Sequence, residues 1–216
     1  MSVIEISNIT KDYGNKKGVF DASFSVEKGE VLGFLGPNGA GKTTTIRQLM
    51  GFIHPDSGTV TINGMDCFKD AAKIQKTLGY LPGEISFMDD MSGNEFIRFI
   101  GKMKGMTDFT YAKELMDFFE LDPKGYIKKM SKGMKQKIGI ICAFMNKPEI
   151  LILDEPTSGL DPLMQNKFIE LILREKKRQA TILMSSHLFE EVEKTCDRTV
   201  IIKAGHIMAV ENMDKI

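Results

Sequence analysis

Residues Gly36 to Thr44 read GPNGAGKTT, and residues Ile150 to Asp161 read ILILDEPTSGLD. The first string satisfies the spacing G-x-x-x-x-G-K-[ST]. In it Gly36, Pro37, Asn38, Gly39, Ala40 and Gly41 make a loop whose free backbone N–H groups can cradle phosphate oxygens, and Lys42 with the hydroxyls of Thr43 and Thr44 completes the cradle. The second string is an apolar run that ends in two adjacent carboxylates, Asp154 and Glu155. One set of groups can hold a nucleotide; the other can hold its metal and activate water. The chemistry this pattern predicts is nucleotide hydrolysis.

By average composition, such a loop string arises by chance in a chain of this length in about one case in a hundred. Its context lowers that figure. Glu30 to Gly36 (EVLGFLG) is a short apolar run suited to a buried strand, and Lys42 to Met50 has neither proline nor glycine, so strand, loop and helix follow in the order the cradle needs. The start of that helix would bring unpaired N–H groups and the positive end of the macrodipole to the phosphates. Lys42 would reach the terminal phosphates, and Thr43 would ligate magnesium.

Further strands are expected at Val3 to Ile6, Ser23 to Val26 and Thr59 to Ile62, with turns at Glu27-Lys28-Gly29 and at His54 to Gly58, where His54 reads as structural. They predict an antiparallel sheet beside the nucleotide-binding core. From about Met88 to Asn146 the pattern becomes helical: Phe96, Phe99, Ile100 and Met103 recur at helical spacing, as do Leu115, Phe118 and Phe119. After Pro148 strands return at Ile150 to Leu153, Ala180 to Ser185, Arg198 to Ile202 and His206 to Val210, with a helix over about 162–177. This alternation predicts an α/β fold with a mainly parallel sheet. The cluster Arg174, Lys176, Lys177 and Arg178 reads as the solvated last turn of that helix.

The chain has 216 residues, enough for one domain or two small lobes, and 29 basic residues balance 29 acidic ones. With no long basic run, no nucleic-acid partner is expected. Cys67, Cys142 and Cys196 are odd in number and widely spaced, which predicts buried, reduced thiols. No apolar stretch approaches the roughly 18 residues of a membrane span, and the N-terminus lacks signal-peptide anatomy, so the expected location is the cytoplasm. Most of the fifteen methionines read as flexible core packing, with Met88, Met91 and Met106 as possible partner contacts. The sequence stops soon after the strand expected near Val210, which leaves room for a C-terminal extension.

Four further features extend the two strings: Tyr13 upstream, MSKGMKQK at Met130 to Lys137, Ser158-Gly159-Leu160-Asp161 after the carboxylates, and Ser186-His187 closing the next strand. In that order, the whole chain resembles the nucleotide-binding domain of the ABC transporter superfamily. The resemblance implies a P-loop NTPase with a RecA-like core over 1–87 and 147–216, which also carries the antiparallel β subdomain, and a helical, signature-bearing subdomain over 88–146. It implies ATP and magnesium as ligands. Tyr13 then matches the adenine-stacking aromatic, Asp154 the magnesium-holding carboxylate, Glu155 the general base and His187 the switch histidine. Lys42, Glu155 and His187 become the catalytic set, and Thr43 with Asp154 the metal set.

The signature matches with departures: Ser131 and Gly133 remain, while Lys132 and Met134 stand where the family has glycine and glutamine. In the family this segment faces the nucleotide of the opposite subunit, so a homodimer, or a heterodimer with a similar chain, is implied. Lys132 either adds positive charge near that phosphate or points into solvent, and solvent is expected. At the coupling loop, Gly83 occupies the usual glutamine position and Glu84 follows it, the candidate to take over that residue's contact, with Phe87 and Met88 beyond. Similar departures occur in subunits that look like those of bacterial drug, antibiotic and polysaccharide exporters. The implied partner is therefore a separate transmembrane permease that holds the chain on the inner face of the membrane. A soluble ABC ATPase acting on a macromolecular assembly is the alternative; a regulatory GTPase, echoed by Asn146-Lys147-Pro148-Glu149, lacks the aspartate of its guanine-reading motif.

Overall fold

The computed structural model describes residues 1–88 and 90–215. Two sheets organise it. The smaller pairs β2 (Gly18–Glu27), β1 (Ser2–Asp12), β4 (Ser57–Ile62) and the two-residue β5 (Met65–Asp66) in that spatial order, all antiparallel. Buried Val3, Ile4, Ile6 and Ile9 hold β1 down. The strand bulges around Asn8, whose φ of 49° is left-handed. Gly58 packs against this bulge so closely that a Cβ there would lie 2.2 Å from the Asn8 carbonyl oxygen.

The larger sheet runs β10 (His206–Asn212), β9 (Arg198–Lys203), β3 (Val31–Leu35), β8 (Thr181–Ser186), β7 (Ile150–Asp154) and β6 (Leu78–Leu81). All neighbours are parallel except the β9–β10 hairpin at the edge. The central strands β3, β7 and β8 are buried on both faces, which is why they appear in sequence as unbroken apolar runs rather than alternating ones. Alternate residues then serve two cores. Leu32, Phe34, Ile150, Ile152 and Leu183 pack against the antiparallel sheet and α1 (Lys42–Leu49), while Val31, Leu151, Leu153, Ile182 and Met184 pack against the remaining helices.

Short elements escape the sequence reading: α2 (Ala71–Gln75), β5, β6 and α7 (Phe189–Thr195) have too few residues to show a period. The helical stretch comprises α3 (Gly93–Met103), α4 (Thr110–Phe118) and α5 (Lys132–Phe144). Ser92 and Glu95 open α3 as a reciprocal capping box. Its buried residues are Gly93, Phe96, Ile97 and Gly101; of the expected stripe, Phe96 is buried and Ile100 packs partly buried on the same core, while Met103 is 71% exposed. At Gly101 the Phe109 ring occupies the space a side chain there would need, 2.3 Å from an added Cβ. The long helix α6 (Pro162–Lys177) begins where Asp161 accepts the Met164 N–H at 2.9 Å, with proline in its first turn.

The basic end of α6 is not a freely solvated turn. Arg178 grips the buried Glu175 carboxylate at 2.5 Å and donates to the carbonyls of Lys147 and Pro148, Lys176 pairs with Asp197 at 2.6 Å, and Arg174 stacks 4.3 Å from the Phe118 ring centroid. His54 is structural as expected, bonded to the Pro55 carbonyl and edge-on to Phe68. All three cysteines are buried, and burial pushes each thiol up to about 12. Breaking one partner of a buried ion pair strands the other charge, so Arg178→Ala should destabilise the chain by about 2 kcal/mol in urea unfolding. An unchanged midpoint would show that Glu175 needs no counter-ion.

Candidate functional site

The parallel strands deliver their C-terminal ends to one edge. Register pairs Leu35 with Ser186 and Asp154 with Ser185, so the loops that follow β3, β7 and β8 meet at that edge. The loop after β3 wraps from Gly36 to Gly41 and feeds α1. Gly36 is pressed onto the Ile202 carbonyl, 2.4 Å from where its Cβ would lie, and Gly41 takes φ 109°, a left-handed turn that a side chain would strain. No side chain caps α1 and no acid lies in its first turn, so its leading N–H groups remain for an anion.

Lys42, 5% exposed, curls back under the loop. Its ammonium donates to the Gly36 carbonyl, to that of Pro37 at 3.3 Å, and pairs with Glu155 Oε1 at 3.0 Å. Glu155 sits just beyond β7 with φ 48°, a conformation that costs a non-glycine residue energy and turns its side chain out of the strand. Its N–H donates to Ser185 Oγ at 2.9 Å, and its Oε2 lies 2.8 Å from His187 Nδ1. Asp154 is 1% exposed; Oδ2 accepts the Thr43 hydroxyl at 2.9 Å and Oδ1 the Ser185 hydroxyl at 2.6 Å. Thus Lys42, Thr43, Asp154, Glu155 and His187 come together.

A cavity of about 410 Å³ opens over this group, lined by Tyr13, Lys17, Gly18, Pro37 through Thr44 and Glu155. Tyr13 stands half-exposed at its rim, its N–H bonded to the Lys17 carbonyl. The fit to magnesium rests on donor chemistry: a hydroxyl and a buried carboxylate already face each other at 2.9 Å, and a hard cation takes oxygen ligands.

Ser131, Lys132, Gly133 and Met134 do not line this cavity. Ser131 caps α5 by accepting the Met134 N–H at 3.2 Å. Lys132 is exposed, but its stem lies along Gly159, with Cγ 2.9 Å and Cδ 3.1 Å from where a Cβ on that glycine would stand. Lys132 thus keeps the solvent exposure expected of it, while its aliphatic stem packs onto the Ser158 to Asp161 segment. Gly133 also faces the Gly159 carbonyl, Leu160 is buried and Asp161 caps α6. Gln136, one turn into α5, donates to the Pro156 carbonyl at 2.7 Å and ties this helix to the loop after Glu155.

Gly83 lies directly against the metal-type carboxylate, 3.0 Å from Asp154 Oδ2 to an added Cβ. Glu84 faces elsewhere, into an apolar groove of about 460 Å³ with Phe52, Tyr80, Ile85, Phe96, Ile100 and Lys104. Burial pushes the Tyr80 phenol up to about 12, with Asp154 adding to the effect, and lowers Lys104, whose ammonium donates to the Cys142 carbonyl at 3.0 Å. Sequence reading missed Lys17, Ser185 and the helix carrying Glu191. The two serines at the end of an apolar strand were the available signal.

A family model described as ABC transporter matches residues 19–158. The linearmycin resistance ATP-binding protein of Bacillus subtilis (strain 168) is 40% identical over 213 residues, covering 96% of this chain and 68% of that protein. The bacitracin transport ATP-binding protein of Bacillus licheniformis is 38% identical over 210 residues, covering 96% and 69%. A solved ATP binding subunit of an ABC transporter superposes with a TM-score of 0.89 at 30% identity, over 99% of this chain and 91% of that one. Because Lys42 is the cation at the floor of the cavity, Lys42→Ala should give no binding heat with micromolar ATP in calorimetry; wild-type binding would remove Lys42 from the phosphate site.

Proposed function

The chain belongs to the ABC transporter family and is an ATP-binding, ATP-hydrolysing subunit, and from that premise we propose that it drives a separate permease in export. The observation that carries the mechanism is the Glu155 carboxylate, held between Lys42 and His187 at the mouth of the phosphate loop. Tyr13 stacks on adenine. Loop N–H groups and the start of α1 bind the phosphates. Thr43 and Asp154 would hold magnesium, which would supply neutralisation of charge on the phosphate oxygens.

Lys42 exchanges its carbonyl and carboxylate partners for phosphate oxygens when the triphosphate enters, and this frees Glu155 Oε1 to accept a hydrogen bond from water. Glu155 then takes the water's proton as the water oxygen bonds to the terminal phosphorus, and the bond from that phosphorus to the ADP oxygen breaks. His187 steadies Glu155 and reaches the terminal phosphate. Most of the gain is electrostatic, from donors already aimed at the developing charge.

Two chains complete each other's sites. Ser131 to Met134 supplies a helix N-terminus to the neighbour's phosphates, and the contact of Lys132 with Gly159 passes the neighbour's closure to the Ser158 to Asp161 segment beside the chain's own base. Residues 88–146 move as the signature-bearing subdomain relative to 1–87 and 147–216. The groove of Phe52, Tyr80, Glu84 and Lys104 between these parts receives the permease. No helix among the described residues is long and apolar enough to cross a membrane. The reading places the chain at the inner face through that partner. The names of the relatives, one for resistance to linearmycin and one for bacitracin transport, support export of such compounds.

Glu155→Gln should bind ATP normally and sediment as a dimer only with the nucleotide; a monomer at saturating ATP would sink the shared-site reading. Phe52→Glu alters an exposed groove residue. It should leave ATP binding intact while abolishing co-purification with the permease, and retained co-purification would move the docking surface elsewhere.

A further inference from the structure

The hydrolysis described above makes no use of Glu191, yet this carboxylate lies directly behind His187. It belongs to α7, is only 5% exposed, and borders a cavity of about 350 Å³ shared with Thr157, Gln165 and His187. Its Oε2 accepts the Ser186 hydroxyl at 2.6 Å. Ser186 Oγ in turn accepts the Leu188 N–H at 3.0 Å. One hydroxyl therefore ties together the residues on both sides of His187.

A hydroxyl has a single proton to give. While Glu191 takes it, the oxygen lone pair faces Leu188 N–H and the loop is closed around His187. Without the carboxylate, the remaining acceptor within reach is the Leu188 carbonyl, 3.4 Å away, and donation there turns the lone pair off the amide. The carboxylate is not placed for its own comfort: Oε1 is buried with no hydrogen-bond partner among the described residues, and burial pushes Glu191 up from the usual carboxylate range. The other titratable groups near it already have partners. Glu155 and His187 hold each other at 2.8 Å, and Glu190 and Lys194 on its own helix pair at 2.6 Å.

We propose that Glu191 is a positioning residue for ATP hydrolysis, fixing the Ser186 hydroxyl so that the Ser186–His187–Leu188 turn presents the imidazole to Glu155. This rests on the role of Glu155 and His187 proposed above. The chain of contacts runs from α7 through Ser186 to His187 and ends on the Glu155 carboxylate. Removing the acceptor loosens the turn without touching the nucleotide cavity, which Glu191 does not line.

The test is a double-mutant cycle read in steady-state ATP hydrolysis and, on the nucleotide-free chain, in amide hydrogen exchange at Leu188. Glu191→Ala and Ser186→Ala should each lower kcat about tenfold, which corresponds to one hydrogen-bond-sized change in the barrier, with KM for ATP nearly unchanged. The double variant should be no slower than either single one, because both remove the same tie. Glu191→Gln should recover most of the rate, since its carboxamide oxygen accepts the same hydroxyl. Leu188 exchange should quicken in both alanine variants and not in the glutamine one. Multiplicative losses, a rise in KM without loss of kcat, or a glutamine variant no better than alanine would overturn the proposal, as would quickened exchange with unchanged kcat. Ser186→Ala removes a single oxygen and carries the test alone if Glu191→Ala does not fold. Glu155→Gln measured beside them separates the two readings, because a wild-type rate there removes the base itself.

Discussion

Two carboxylates side by side at the end of a fully buried strand can persist only if their charges are divided among separate partners. The chain meets that constraint by turning them in opposite directions. Asp154 remains inside, between the Thr43 and Ser185 hydroxyls, and Glu155 is thrown outward by a left-handed backbone angle onto Lys42 and His187. Ser185 serves both, donating to Asp154 and accepting the Glu155 N–H. Two adjacent acids of one residue class thereby acquire different surroundings, one suited to a cation and one to a proton.

The rest of the molecule is arranged around that division. The parallel sheet brings the ends of β3, β7 and β8 to one edge, so groups far apart in sequence, such as Thr43 and Asp154, meet at hydrogen-bond distance. Two cores clamp the sheet from either side, and each is reached by alternate residues of the same strands. The helical side touches the site through Gln136 on the Pro156 carbonyl, Lys132 along Gly159 and Gly133 facing the Gly159 carbonyl. All three sit within the first turns of α5, so that helix is tied directly to the loop that holds Glu155.

How much could be read from the residues alone depended on how local their causes were. The phosphate loop, the strands β3, β7 and β8 and the helix α6 were legible, because glycine spacing, unbroken apolar runs and an Asp-Pro start are signals carried within a few residues. The short elements α2, β6 and α7 were not, since a helix of seven residues or a strand of four is stabilised by what packs on it. The stripe of α3 was read only in part: Phe96 and Ile100 face the core, but Met103 does not, and the contact of Phe109 with Gly101 comes from a segment outside the helix. Ser185 and Ser186 look like the polar end of a strand in sequence, and only their fully buried positions mark them as parts of the site. The basic end of α6 looked like solvated charge, whereas Arg178 serves a buried acid that sequence gives no reason to call buried.

The burial of Cys67, Cys142 and Cys196 has a practical side. With each thiol buried and pushed up to about 12, the reactive thiolate is scarce at neutral pH. A cysteine introduced at an exposed position such as Met103 would therefore outcompete all three native ones for a maleimide dye or spin label. Distances between labels on α3 and on the sheet could then be measured without removing any native cysteine.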